Sequence, residues 1–230
     1  MEGRYSPGVF MTLMDCIDPA KEWEFNRWYG QTLLPALEEL GCVRNSRRYE
    51  NVYAKEGTFR GRPKYLAIHE VYHDKLGEAL KMIRHCEAKL KTDGKWFDSV
   101  LTKSSALYGR VGPEFHSGHG GGHIEILYCG MVGCTDPNRK AEFDTWYNDR
   151  HSPDALNAGL FDTSYRFDVV DPNDPAPHQS SRCLALHETS VDLATLEQRL
   201  DSFRKQMIAV DPLWVSLLSI TYSGLFRPMK

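Results

Sequence analysis

Several features that would assign a protein to a special class are missing from this sequence of 230 residues. No apolar run approaches the roughly 20 residues that a membrane-spanning helix needs, and the first residues lack the apolar segment of a secretion signal. Basic and acidic residues nearly balance, 28 against 31, which argues against partners such as nucleic acid or an anionic membrane. The six cysteines form no CxxC pair, so we expect reduced thiols and no zinc site. These absences predict a cytoplasmic protein.

Sequence motifs for common cofactors are missing as well. The chain has no glycine-rich phosphate loop, no dinucleotide fingerprint and no G-x-S-x-G nucleophile motif. Its composition, with 41% hydrophobic and 26% charged residues, is that of an ordinary globular protein. The sequence therefore predicts no cofactor and leaves proton transfer as the chemistry to look for.

The chain repeats itself after 118 residues. From Cys16 to Asp74, 17 of the 59 positions are identical to the residue 118 positions later, where average composition gives about three or four by chance. The shared residues include the EF-x-x-WY segment and the pairs His69-Glu70 and His187-Glu188. We therefore expect a first repeat at 1–112, a Gly/His-rich linker at 113–123 and a second repeat at 124–230.

Hydrophobic patterning predicts the order strand, helix, strand, strand, helix, strand in each repeat. The expected fold class is α+β, with two ferredoxin-like βαββαβ repeats. Each four-stranded sheet would have helices on one face only, so the two bare faces should cover each other and enclose a cavity. The predicted elements are 8–16, 18–41, 43–54, 64–72, 76–91 and 104–111, followed by 124–133, 139–158, 161–170, 182–190, 191–207 and 218–225.

These motifs resemble a known family. The pattern EF-x-x-WY-x-x-x-H-x-P, the arginine early in the second strand and LALHE in the third are similar to the EthD-like branch of the dimeric α/β-barrel superfamily. The resemblance covers nearly the whole chain, in tandem, and implies an intramolecular α/β-barrel. That superfamily holds isomerases, dehydratases, cofactor-free monooxygenases and haem enzymes, so the resemblance indicates a fold more than a reaction.

The most informative difference between the repeats is His151, which aligns with Leu33. On a helix, Asp144, Tyr147 and His151 would lie on one stripe, where the acid could orient the imidazole through the tyrosine. The resemblance places His151 at the family's histidine, so we expect it to act as acid or base. The structural alternative is a partly exposed histidine stabilised by the dipole near a helix end.

Further polar and aromatic residues complete the expected site. Arg166 and His187 would stabilise negative charge, while Glu70 and Glu188 would form buried ion pairs with Arg48 and Arg166. Aromatic and histidine side chains at element positions would line the cavity: Trp146, Trp28, Tyr29, His69, Tyr108 and Tyr222.

Two loops are candidates for functional segments. The stretch HSGHGGGH, with His116, His119 and His123, invites a metal interpretation, but its glycines favour a flexible linker, and we expect no metal site. Residues 172–181 form a second polar loop, which could act as a lid.

The resulting functional hypothesis is a cofactor-independent lyase or isomerase, of the dehydratase or cyclase type, acting on a small hydrophobic, aromatic or polyketide-like substrate. The alternatives are a cofactor-free monooxygenase of a phenol, and a carrier that binds a hydrophobic ligand without changing it. Haem binding is a further alternative, because relatives with this fold use a histidine ligand. Whether two chains form a homodimer stays open.

Overall fold

The computed structural model describes residues 6–54, 63–117, 123–174 and 182–229. The first half contains four long strands and a helical layer. Its elements are β1 (Gly8–Cys16), α1 (Glu22–Trp28), α2 (Leu34–Glu38), β2 (Val43–Asn51), β3 (Tyr65–Val71), α3 (Leu76–Thr92) and β4 (Val100–Arg110).

The second half follows the same order after a short strand, β5 (Phe115–His116), which lies inside the predicted linker. A short helix before the last strand, Pro212–Leu217, was not predicted. The elements are β6 (Ile126–Cys134), α4 (Lys140–Trp146), α5 (Ser152–Asn157), β7 (Thr163–Val169), β8 (Cys183–Thr189), α6 (Leu193–Val210), α7 (Pro212–Leu217) and β9 (Leu218–Pro228).

The nine strands of the described residues form one antiparallel barrel. Their order is β4-β1-β3-β2-β9-β6-β8-β7-β5, and an additional β4–β7 pairing closes the sheet. The halves join at two seams, where Tyr49 to Asn51 pair with Phe226 to Pro228 and Tyr108 to Arg110 pair with Phe167 to Val169. The predicted α+β class is confirmed.

The barrel interior is filled with side chains, so the expected cavity between the sheets is wrong. Inward-facing residues of both halves form one buried cluster, and a barrel of about eight strands is just wide enough for side chains to fill it. The interior residues include Val9, Met11, Leu13, Tyr49, Leu66, Ile68, Tyr108, Leu127, Met131, Tyr165, Phe167, Leu184, Leu186 and Phe226.

The first helical segment of each half is interrupted by a wider turn. The sequence predicted continuous helices, but π-turns at Tyr29–Leu33 and Tyr147–His151 separate α1 from α2 and α4 from α5. A proline follows each π-turn by two residues, at Pro35 and Pro153. A proline ring clashes with the carbonyl four residues earlier, and a wider turn relieves that clash.

Two further expectations concern the cysteines and membrane-spanning helices. All six cysteines are free, in agreement with the sequence. Within the described ranges, no helix is both long enough and apolar enough to cross a membrane.

Candidate ligand site in the second half

A cavity of about 510 Å³ lies between the helices of the second half and the outer face of its sheet. This volume is within the usual range of small-molecule sites. Its walls come from β6, β8, β9, the second π-turn, α5, α6 and α7. The lining is mainly apolar and aromatic: Tyr128, Val132, Tyr147, His151, Ala155, Leu160, Phe161, His187, Leu200, Asp201, Phe203, Arg204, Trp214, Leu218, Ile220 and Ser223.

His151 projects from the second π-turn into this cavity and is held by aromatic rings. Its imidazole stacks on Trp146 with ring centroids 5.1 Å apart, and it contacts Tyr147 and Trp214 edge-on at 4.4 and 4.8 Å. The side chain is 8% exposed. Neither ring nitrogen has a hydrogen-bond partner among the described residues, and Nδ1 is fully buried. The ring is therefore positioned by stacking and not by a hydrogen bond.

His187 enters the cavity from β8 and is also without a hydrogen-bond partner in the described part of the chain. Phe161 stacks on it at 4.5 Å. Burial, together with the positive charge of Arg166, lowers the pKa of both His151 and His187 to about 3. Both rings are consequently neutral at neutral pH, and each keeps an available nitrogen lone pair.

In the first half, the corresponding histidine, His69, has hydrogen-bond partners for both of its ring nitrogens. There the Tyr29 hydroxyl and the Ser46 hydroxyl bond the two ring nitrogens of His69, at 2.8 and 2.7 Å. Leu33 stands where the second half has His151, and it is buried in the hydrophobic layer. In the first half, His69 therefore has hydrogen-bond partners for its ring nitrogens. In the second half, His151 and His187 have none among the described residues.

Arg166 and Asp144 lie beside this site and bond to each other. The Arg166 guanidinium donates to the Asp144 carboxylate at 2.8 Å and covers the ring of Tyr147 at 4.3 Å. Asp144 also accepts from Lys140, so it does not orient His151 through the tyrosine as the sequence suggested. The salt bridges hold the pKa of Asp144 below its usual range, although burial alone would raise it.

The expected ion pairs of the two buried glutamates are wrong. Arg48 lies opposite Ala67 and covers Tyr29, and Arg166 lies opposite Ala185, so neither reaches the glutamate of its own half. Glu188 instead accepts hydrogen bonds from Thr163 and Tyr165. Alternation along the strands places the histidines on the helix side and the glutamates on the opposite face.

Several predicted lining residues lie elsewhere. Tyr108 belongs to the barrel interior and Tyr222 packs against it. Trp28 and Tyr29 belong to the core of the first half, and His69 is bonded there. Trp146 lies behind His151. Of the eleven predicted site residues, the structure places Tyr147, His151 and His187 in this cavity.

Sequence analysis missed part of the site. Phe161 follows the turn after α5, and Phe203 and Arg204 lie on α6, where nothing but helical spacing distinguishes them from ordinary surface or core residues. Trp214 lies on the unpredicted helix α7. Its repetition at Trp96, 118 residues earlier, was the available signal.

The described residues of the two loops do not line this cavity. His116 contacts Glu114 at 3.0 Å, His119 lies outside the described residues, and no three metal-binding side chains converge within the described part of the chain. Of the predicted lid, residues 175–181 lie outside the described residues. Its preceding residue Asp174 is bound by Arg84 of α3, on the first half.

Comparisons with solved structures identify the fold. A chlorite dismutase mutant from Candidatus Nitrospira defluvii matches 99% of this chain and 93% of its own, with a TM-score of 0.61 at 9% identity. A dye-decolorizing peroxidase from Bacteroides thetaiotaomicron matches 98% and 93%, with a TM-score of 0.59 at 7% identity. This chain has the dimeric α/β-barrel fold.

A third structure, a Fusobacterium nucleatum protein whose name proposes a monooxygenase, matches 99% of this chain and 94% of its own, with a TM-score of 0.55 at 11% identity. No family model matches the sequence. A search of curated proteins also finds no match. At these levels of sequence identity, the matches show that this chain shares the dimeric α/β-barrel fold. They do not show that it shares a function with these proteins.

These neighbours overturn the functional hypothesis from the sequence. All three are named as enzymes, and their names denote dismutation of chlorite, peroxidation and oxygenation. The expectation of a cofactor-independent lyase or isomerase is therefore wrong.

Proposed function

We propose that the cavity in the second half binds haem and that the protein is a peroxidase-type oxidoreductase. The observation that carries the proposal is the pair of buried, neutral histidines, His151 and His187, which have no hydrogen-bond partner among the described residues and line an aromatic cavity. Neutral imidazole is the commonest metal ligand in proteins, and a histidine is the axial ligand in peroxidases.

The residues present fit such a group. His151 would hold the haem iron, because the residue at its position in the first half is a leucine and because ring stacking fixes its orientation. The aromatic rings of Phe161, Phe203 and Trp214 line the cavity and would contact a flat apolar molecule. Arg204, an exposed cation that lines the cavity, would pair with the carboxylates that haem carries.

When bound, haem would supply one-electron and peroxide chemistry. The protein's own contribution is to bind, orient and exclude water. A histidine that binds a metal usually makes a hydrogen bond through its second ring nitrogen. The buried Nδ1 of His151 has no such partner among the described residues. Arg166 lies behind Tyr147, and its charge helps to keep His151 unprotonated and available as a ligand.

This proposal changes the role of His151 from base to ligand. A histidine whose pKa is lowered to about 3 is a weak base at neutral pH, whereas its free lone pair is what a metal requires. Its neighbours Tyr147 and His187 would then be polar groups close to the bound molecule.

Some finer features from the sequence stay proposals. The order of elements and the shared positions 118 residues apart favour two ferredoxin-like repeats and an EthD-like origin. The repeat boundaries, a cytoplasmic location, a small hydrophobic substrate and a homodimer also stay predictions.

Titration with haemin tests the proposal. We expect wild-type protein to bind one haem per chain, with the absorbance spectrum of an imidazole-ligated haem. His151→Leu introduces the residue found at the corresponding position of the first half, Leu33. This variant should bind haem at least about tenfold more weakly and should have a different absorbance spectrum.

His85→Ala, on the exposed face of α3, is the matched control and should bind like wild type. Absence of saturable binding by the wild type would refute the proposal, as would an unchanged spectrum in His151→Leu.

A further inference from the structure

Trp146 lies between two lining residues of the inner cavity and a groove on the outside. Its indole stacks on His151 and meets Trp214 edge-on at 6.2 Å, and both of these residues line the inner cavity. The same indole lines a second cavity of about 500 Å³, which opens on the surface. The remaining walls of this outer groove are Ala141, Glu142, Thr145, Asp149, Arg150 and Leu213.

The indole nitrogen of Trp146 has a proton acceptor. Nε1 donates a hydrogen bond of 2.7 Å to Asp211 Oδ2, and Asp211 is 1% exposed. Removing an electron from an indole makes its N–H strongly acidic. A neighbouring carboxylate can take that proton, so no positive charge has to persist in a buried place. Trp146 is therefore placed to be oxidised more easily than an ordinary buried tryptophan.

The first half offers a comparison within the same chain. Trp28, 118 residues earlier, donates its Nε1 proton to the backbone carbonyl of Lys95 at 2.8 Å. A carbonyl oxygen cannot take up the proton at neutral pH. Asp93, which corresponds to Asp211, lies at the surface and bonds Lys89. The indole–carboxylate pair therefore belongs to the half that contains the candidate site.

We propose that Trp146 is a redox-active residue that passes electrons from an aromatic donor in the outer groove to the inner cavity. The inference rests on the proposed function, because haem and a peroxide would supply the oxidant. Trp146 gives one electron to the oxidised cofactor while its Nε1 proton moves to Asp211. A neutral indole radical and a neutral carboxylic acid result.

The donor then returns one electron to the indole radical. The proton on Asp211 goes back to Nε1, and the donor releases its own proton to water. Two such cycles supply two electrons, and the two protons that the donors release balance the reduction of one hydrogen peroxide to two waters.

The walls of the groove define the class of donor. Its surface is mostly apolar, from Trp146, Ala141 and Leu213. Of its charged lining residues, Glu142 is paired with Arg139, and Asp149 and Arg150 have opposite charges. The groove therefore suits an uncharged, electron-rich aromatic molecule, such as a phenol or an arylamine.

One test uses haem-loaded protein and peroxide without a donor, with electron paramagnetic resonance as the readout. We expect a neutral tryptophan radical that disappears in Trp146→Phe and persists in the matched control Trp28→Phe. Asp211→Asn should lower its yield by about tenfold or more, because the proton has no acceptor. Haem binding is measured first on each variant, so loss of the cofactor is not mistaken for loss of the radical.

A second test needs no haem and keeps the two proposals distinguishable. The wild-type protein is oxidised with a water-soluble photo-oxidant, and the products are located by peptide mass spectrometry. Trp146 should be oxidised about tenfold more than Trp28, although Trp28 is the more exposed, 8% against 2%. Equal oxidation of both would overturn the inference, and so would a radical on another residue in haem-loaded protein.

Discussion

Arg48 and Arg166 occupy the same position in the two halves and differ in their neighbours. Arg166 bonds Asp144, whereas the residue 118 positions before Asp144 is Asn26. Arg48 covers Tyr29 at 4.1 Å, but within the described part of the chain its buried Nε and Nη2 have no hydrogen-bond partner, and neither has Asn26 Oδ1. Desolvation lowers the pKa of Arg48. The first half therefore holds a cation that lacks its carboxylate.

We predict that Asn26→Asp stabilises the protein. The new carboxylate would accept hydrogen bonds from Arg48 as Asp144 does from Arg166, which is worth about 1–3 kcal/mol. Denaturant unfolding measures the effect. The matched variant Asp144→Asn should destabilise by a similar amount, and a loss of stability in Asn26→Asp would contradict the prediction.

The buried histidines make stability depend on pH. Their pKa of about 3 in the folded protein lies below the value of about 6.5 in an unfolded chain, so between these values the unfolded state binds more protons. The free energy of unfolding should therefore fall as pH decreases from 6.5 towards 3. Each histidine contributes at most about 1.4 kcal/mol per pH unit.

Replacing both His151 and His187 by leucine should flatten this dependence, although His69, whose pKa burial lowers to about 4, will keep part of it. Unfolding curves at pH 7 and 4.5 provide the measurement, with His85→Ala as the control. An identical pH slope in wild type and double variant would argue against the buried, neutral state of these rings.

At the scale of elements, the π-turns decide which residues face the sheet. The amide of Ser152 donates a hydrogen bond to the carbonyl of Tyr147, five residues earlier. In an α-helix, the acceptor would be the carbonyl four residues earlier. The extra residue lets Tyr147 and His151 both lie over the sheet while Trp146 packs behind the histidine. Such turns occur often at functional sites.

We predict that Pro153→Ala weakens ligand binding by about tenfold or more, because relief of the proline clash allows the turn to return to α-helical spacing and rotates His151. Haem titration checks affinity, and amide exchange at Ser152 checks the turn. Pro35→Ala makes the same change in the first half and should leave affinity unaltered. Equal affinities in all three proteins would mean that the turn does not position the histidine.

At the scale of the whole molecule, the two halves share one interior. Strands pair across both seams, and the barrel core contains residues of both halves. Arg84 of α3 further bonds Asp174, which is 5% exposed, across the halves. Neither half can expose its inner sheet face without losing the core of the other.

We therefore predict a single cooperative unfolding transition, with equal calorimetric and van't Hoff enthalpies. Leu184→Ala, in the second half, should lower stability by about 2–5 kcal/mol and should reduce protection of the slowest amides in β1 as much as in β6. Native-state hydrogen exchange measures both strands together. Unchanged protection in β1 would indicate that the halves unfold independently.

The sequence alone determined the class of fold and much of its order. Apolar runs bounded by turn residues predicted the strands, and Asp18-Pro19 and Asp136-Pro137 marked the starts of helical segments. The difference between Leu33 and His151 singled out the residue at the centre of the candidate site. These features are local, so short windows of sequence contain them.

The tertiary structure decided where open space lies. Which sheet face is filled depends on side chains from strands far apart in sequence, and their volumes close the barrel interior, where a cavity was expected. The same packing leaves space between α6, α7 and the outer face of β6, β8 and β9, where His151 and His187 lie without a hydrogen-bond partner in the described residues. A void is a property of many distant atoms together, and for that reason no local pattern in the sequence could locate it.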